Sequence, residues 1–137
     1  KRLFVTGHSL GGAVATLAAL DIATNTPFTQ PHVYTYASPR VGNPEFVQVY
    51  NQTIVHSIRV VNINDVVPHF PPPTIPILNV TYRHVEERYP IHFQTFSIRN
   101  NHAIENYFRR LCTMFKRSCI HICNQNPRLC PPLKVVP

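Results

Sequence analysis

The run Leu3-Phe4-Val5-Thr6-Gly7-His8-Ser9-Leu10-Gly11-Gly12-Ala13-Val14-Ala15 decides how this chain is read. It begins as a short apolar stretch ended by Gly7, the pattern of a strand buried on both faces of a sheet. Over residues 10–23 the period becomes helical, with Leu10, Val14, Leu17, Ala18 and Ile22 on one face. At the junction stands Gly7-His8-Ser9-Leu10-Gly11, a G-x-S-x-G motif. A serine between such a strand and such a helix sits in a strained turn that lifts its hydroxyl above the sheet edge. Gly7, His8 and Gly11 form that elbow, and crowding two residues before and two after the serine calls for glycine at both places. A phosphate-cradling turn would share the glycines, but neither G-x-x-x-x-G-K-[ST] nor G-x-G-x-x-G occurs.

Working outward, residues 33–37 read as a second strand, rich in Val, Tyr and Thr. Asn43 can cap a short helix with Pro44 in its first turn, running to about Tyr50. Residues 57–61 are a third strand. Residues 68–76 hold five of the 14 prolines and are expected to lack regular structure. Residues 80–85 and 91–98 are two more strand candidates, joined around residues 86–90. A helix is expected from about Ala103 to Phe115. Strands alternating with helices point to an α/β sheet with helices on its faces.

A serine nucleophile needs a base, and the base needs an orienting acid, in the chain order Ser, acid, His for this kind of elbow. The sequence has two aspartates. Asp21 lies on the helix that follows Ser9, roughly 18 Å along its axis, and cannot reach the top of the sheet. Asp65 follows the third strand, in a loop at the strand's carboxyl end, where α/β sites assemble. Glu86 and Glu87 are rivals in a charged, solvent-facing turn. Of the histidines beyond Asp65, His84 and His92 lie in or beside strands, His69 is in the proline loop and His121 is among the cysteines. His102, between the last strand and the last helix, is the best base. The amide of Leu10, next after the serine, can donate to an oxyanion. This chemistry calls for no metal and no cofactor.

These segments resemble the class 3 (fungal-type) lipases. The resemblance rests on Thr6-Gly7-His8-Ser9-Leu10-Gly11-Gly12-Ala13-Val14-Ala15 with Ala18-Ala19-Leu20-Asp21, and on Thr35-Tyr36-Ala37-Ser38-Pro39-Arg40-Val41-Gly42-Asn43. It continues through Arg59-Val60-Val61-Asn62 to Asp65-Val66-Val67-Pro68 and through His102-Ala103-Ile104-Glu105-Asn106-Tyr107-Phe108. It implies an α/β-hydrolase fold, here the C-terminal portion of the sheet with its flanking helices. It also implies hydrolysis of carboxylic esters of acylglycerols or related lipids, with Ser9 as nucleophile, Asp65 as orienting acid and His102 as base. Residues 1–108 would be the C-terminal part of the hydrolase domain, and residues 109–137 the end of the last helix and a basic, Cys- and Pro-rich tail. In that family the second oxyanion donor and the lid precede the nucleophile strand, so this chain alone is expected to be poorly active. Phospholipids, galactolipids and feruloyl esters stay open as substrates. So does a binding module that has kept the sheet but not the catalysis.

The 137-residue composition fits this reading, with 44% hydrophobic and 14% charged residues and a net charge of +7. Residues 1–108 carry a net +1. Residues 109–137 hold Arg109, Arg110, Lys116, Arg117, Arg128 and Lys134 and no acid. Such a basic tail could meet anionic lipid or nucleic acid; the plainer expectation is a solvated, poorly ordered terminus. No motif points to nucleic acid as a partner. No run is long and apolar enough for a membrane span, and no signal peptide is read in this chain. Cys112, Cys119, Cys123 and Cys130 can pair as two disulfides in three ways; a zinc site with His121 is a weaker idea. With the sequons at Asn51 and Asn79, the cysteines favour a secreted or lumenal compartment. The implied partner is a lipid or other ester at a lipid–water interface.

Overall fold

The computed structural model describes residues 1–85, 87–128 and 130. They form a four-stranded, all-parallel sheet in the order β1 (Phe4–His8), β2 (His32–Tyr36), β3 (Ser57–Asn62), β6 (Arg88–Ile91). Helix α1 (Leu10–Asn25) connects β1 to β2, and α2 (Pro44–Thr53) connects β2 to β3. Parallel neighbours need such crossovers. Asn43 caps α2 as expected, its side chain accepting from the Phe46 amide at 2.9 Å. The chain then makes a small antiparallel ribbon, β4 (Thr74–Ile75) with β5 (Val80–Thr81). After β6 follow α3 (Ile98–His102), α4 (Ile104–Met114) and α5 (Lys116–Gln125).

Alternation along the strands separates two cores. On one face Val33 of β2 packs with Ala19 and Ala23 of α1, Tyr50 and Ile54, and Val85. On the other, Val60 and Ile91 pack with Ala37, Phe93 and Tyr107 of α4. The helix layer over the second core places α4 against the strand that leads to Asp65.

Several expectations change. The buried side of α1 is Gly12, Ala13, Ala15, Thr16, Ala19 and Ala23, whereas Leu10, Val14 and Leu17 are exposed. Over residues 10–20 the helix is apolar or small on every side, so its periodicity could not say which stripe faces the sheet; close approach to the parallel strands selects the small residues. Strand β1 is not buried on both faces: Phe4 is 60% exposed, and among the described residues β1 has a paired strand on one side only.

The last sheet strand is Arg88–Ile91, three of its four residues inside the stretch read as a connection and only Ile91 in the expected strand. Of residues 80–85 only Val80–Thr81 are strand, and residues 92–97 are irregular. Pairing with β3 decided this, a long-range partner that local pattern does not contain. The proline segment is ordered by Arg40, whose guanidinium donates to the carbonyls of His69 and Pro71 and whose amide donates to Phe70. It holds two single 3₁₀ turns and β4.

The tail is not loose as far as Gln125. Helix α5 folds back on α4, and the pairings are Cys112–Cys119 and Cys123–Cys130. All four thiols are thereby removed as metal ligands. Residue 129 and residues 131–137, with Lys134, lie outside the described residues, as does Glu86.

Candidate active site

Ser9 ends β1 and precedes α1 with φ 57° and ψ −130°, a strained conformation for a residue with a side chain. Its amide donates to the Tyr36 carbonyl at 3.0 Å, tying the turn to β2. A Cβ at Gly7 would overlap the backbone of Gly11 and Gly12. The expected symmetry of the elbow does not hold, however. A Cβ at Gly11 would meet nothing within 4 Å, while one at Gly12 would lie 2.8 Å from Cβ of Ser38. The close approach is therefore between α1 and the loop after β2, and Gly12, not Gly11, is the second obligatory glycine.

The structure brings Ser9, His102 and Asp65 together from three distant places in the chain. His102 Nε2 is 2.8 Å from Ser9 Oγ, and His102 Nδ1 is 2.8 Å from Asp65 Oδ2. Asp65 accepts at Oδ2, so Nδ1 carries the proton and Nε2 is left as acceptor for the serine hydroxyl. Asp65 is 1% exposed. A buried carboxylate must be hydrogen-bonded, and this one is: Oδ1 accepts from the Val67 amide at 3.0 Å, and Oδ2 also accepts from the Tyr107 hydroxyl at 2.7 Å.

Tyr107 is a residue of this site that sequence reasoning missed. Its hydroxyl donates to Asp65 and accepts from the Asn62 amide at 3.0 Å. Burial pushes its phenol far above the ordinary value; the Asn62 amide opposes that, and the neighbouring Asp65 carboxylate adds to it. The phenol therefore stays protonated and remains a donor. The signal was its place five residues beyond His102 in the histidine segment.

Two asparagines complete the scaffold. Asn62 donates to the Asn101 carbonyl at 3.2 Å and accepts from the Phe93 amide at 3.2 Å. Asn101 donates to Asn64 O at 3.2 Å and to Gln94 Oε1 at 2.7 Å, and accepts from the Thr95 amide at 2.9 Å. Together they hold residues 92–102 on the loop that carries Asp65. His8 also acts here: its Nε2–H donates to the His102 carbonyl at 2.8 Å, and the two rings lie 4.7 Å apart.

Other candidates among the described residues stay out of the site. Asp21 is exposed and accepts from the Asn25 side chain. Glu87 is exposed just before β6. His84 donates to the Pro68 carbonyl at 2.7 Å, bracing the loop beyond Asp65. Leu10 is the first residue of α1, so no carbonyl one turn earlier in the helix receives its amide.

A parallel sheet flanked by helices, with a serine on a strained elbow hydrogen-bonded to a histidine and on to a buried aspartate, defines an α/β-hydrolase. The chain belongs to the class 3 lipase family, which it matches over residues 1–75. It is 48% identical to a lipase of Caenorhabditis elegans over 71 residues, covering 50% of this chain and 20% of that protein. It is 43% identical to secreted mono- and diacylglycerol lipase 1 of Fusarium solani over 89 residues, covering 64% of this chain and 24% of that protein. The triacylglyceride lipase of Rhizomucor miehei superposes with a TM-score of 0.58 at 38% identity, over 66% of this chain and 33% of that structure. The chain thus spans a fifth to a third of the length of these relatives.

Proposed function

We propose that this chain carries the catalytic residues of a serine hydrolase that cleaves carboxylic ester bonds of lipids. The observation that carries the reading is the unbroken hydrogen-bonded line from Ser9 through His102 to Asp65. Ser9 Oγ attacks the ester carbonyl as His102 Nε2 takes its proton. The tetrahedral oxyanion faces the Leu10 amide. His102 returns the proton to the leaving alcohol and then activates the water that cleaves the acyl-enzyme. Asp65, held by Tyr107 and Val67, keeps the imidazole in the required tautomer.

A lipid substrate is supported by the exposed apolar residues flanking each member of the triad. Leu10 stands next to Ser9, Ile63 and Val66 on either side of Asp65, and Ile98 and Ile104 on either side of His102. The acylglycerol substrates named for the relatives point the same way, as does a lipid–water interface as the place of action. In this reading residues 1–108 are the C-terminal part of the hydrolase domain, and residues 109–137 are the end of a helix followed by a basic, Cys- and Pro-rich tail. A secreted or lumenal location fits the two disulfides and the secreted relative. No described helix is long and apolar enough to cross a membrane.

The test is labelling of the full-length protein by a fluorophosphonate probe, with turnover of acylglycerols. Ser9→Ala should abolish labelling and lower kcat by about 10⁶-fold. Retained activity in that variant would remove the triad.

A further inference from the structure

A second feature lies outside the triad, where residues 92–97 meet α4. There a cavity of about 340 Å³ is lined by Arg109, Arg110, Thr113, His92, Gln94 and Phe96. The Nε atoms of both arginines are buried and have no hydrogen-bond partner among the described residues. Among the described residues Arg109 reaches Asn106 Oδ1 alone, at 3.5 Å through Nη1. Neither arginine pairs with a carboxylate among the described residues. Burying guanidinium nitrogens without partners is costly. Two arginines lining one cavity, with no carboxylate partner among the described residues, offer a receptor for an anion, and their planar forks match phosphate oxygens.

Beside this cavity Phe96 is 95% exposed at φ 53°. Its amide donates to Gln94 Oε1 at 2.9 Å, so the turn that displays the ring is braced. Ile98, two residues on, is 69% exposed. A seat for a free soluble anion has no use for an aromatic ring held out beside it. An anionic lipid surface has use for both parts, since charge meets the headgroup and the ring enters the acyl boundary.

We propose that this cavity seats the phosphate of an anionic phospholipid headgroup while Phe96 inserts alongside. Asn101 links Gln94 and Thr95 to the helix that ends at His102. Docking here would therefore hold the triad at the lipid surface by a brace that takes no part in the chemistry. This does not depend on the reaction being the one proposed above, and the test separates the two.

The experiment uses full-length protein carrying Ser9→Ala, so that no lipid is consumed. Partition is measured onto phosphatidylcholine vesicles with and without phosphatidylglycerol. The pair Arg109→Gln and Arg110→Gln should weaken binding to the anionic vesicles roughly thirtyfold. Lys116→Gln with Arg117→Gln, exposed charges outside the cavity, should cost about fivefold or less. Thr113→Trp keeps both arginines and fills the cavity, so it should lose binding as well. Phe96→Ser should weaken vesicle binding while leaving any protection by inorganic phosphate against thermal unfolding unchanged.

Equal binding by the Gln pair and the parent, with similar melting temperatures, would overturn the proposal. So would full recovery by Arg109→Lys with Arg110→Lys, because diffuse charge would then suffice. Arginine-dependent protection by inorganic phosphate, with vesicle binding indifferent to Phe96→Ser, would assign the seat to free phosphate and end the lipid reading.

Discussion

The two ends of the chain are built on opposite principles. The β1–α1 elbow owes its shape to what it lacks. Gly7, Gly12 and the alanines of α1 let backbone approach backbone, and nothing covalent holds them. The α4–α5 hairpin lies beyond the family match. It carries long basic side chains and is tied by Cys112–Cys119 and Cys123–Cys130. Close packing of small residues gives positional accuracy that any added atom destroys. A disulfide restricts a segment whatever its side chains are, with less demand on fit. The triad draws on both principles, because Ser9 stands on the elbow while Tyr107, which holds Asp65, stands on α4.

The sharpest break is at the elbow. Gly7→Ala should cost at least about 10³-fold in activity or prevent folding, since a misplaced nucleophile is expensive and the clash is with backbone. Gly11→Ala should stay within a factor of about three. Esterase assays with circular dichroism on full-length protein check both, and equal damage by the two would reject the asymmetry of the elbow.

Next comes the link between the ends. Tyr107→Phe removes a donor from Asp65 and an acceptor from the Asn62 amide, and should cost about 1–3 kcal/mol of stability. Activity should fall roughly tenfold, mainly in kcat with KM little changed, because the residue positions without touching substrate. A KM effect alone would contradict that role.

Reduction of the two disulfides tests the hairpin. Each closes a loop of sequence separation 7, worth about 2 kcal/mol in unfolded-chain entropy. Hydrogen exchange should rise in α5 first, with esterase activity changed only a few-fold. Loss of activity in step with reduction would mean that α4 depends on the staples for its place over Asp65.

The smallest effect is in pH. Burial, followed by the positive charge of Arg59, lowers His84 from an ordinary 6.5 to about 4. The unfolded chain then binds the proton first, so stability is full above about pH 6.5 and falls as pH drops toward 4. His84→Gln should flatten that slope by a few °C in Tm. An unchanged slope would rule out His84 as its source.

Much of this site was legible without coordinates because its parts are local. The strand–glycine–serine–helix order declares the elbow, and the two aspartates leave little choice of acid. Asn43 and Pro44 announce the start of α2. What stayed hidden was the packing and bracing set by contact between remote segments. The buried stripe of α1 could not be chosen because that helix is apolar or small on every side over residues 10–20. Strand β6 was misplaced because Arg88–Ile91 has strand character only through its pairing with β3. Tyr107 looks like any helical aromatic until its hydroxyl meets Asp65.

By itself, then, the sequence determined the class of fold and pointed to Ser9, Asp65 and His102, in that order, as the proposed triad, because motif and chain order are one-dimensional facts. Only the tertiary structure decided which glycine is obligatory, which cysteines pair, what holds the acid and which arginine Nε atoms are buried without a partner among the described residues. Those are questions of distance between residues far apart in the chain, and distance is settled when the sheet closes and the helices find their faces.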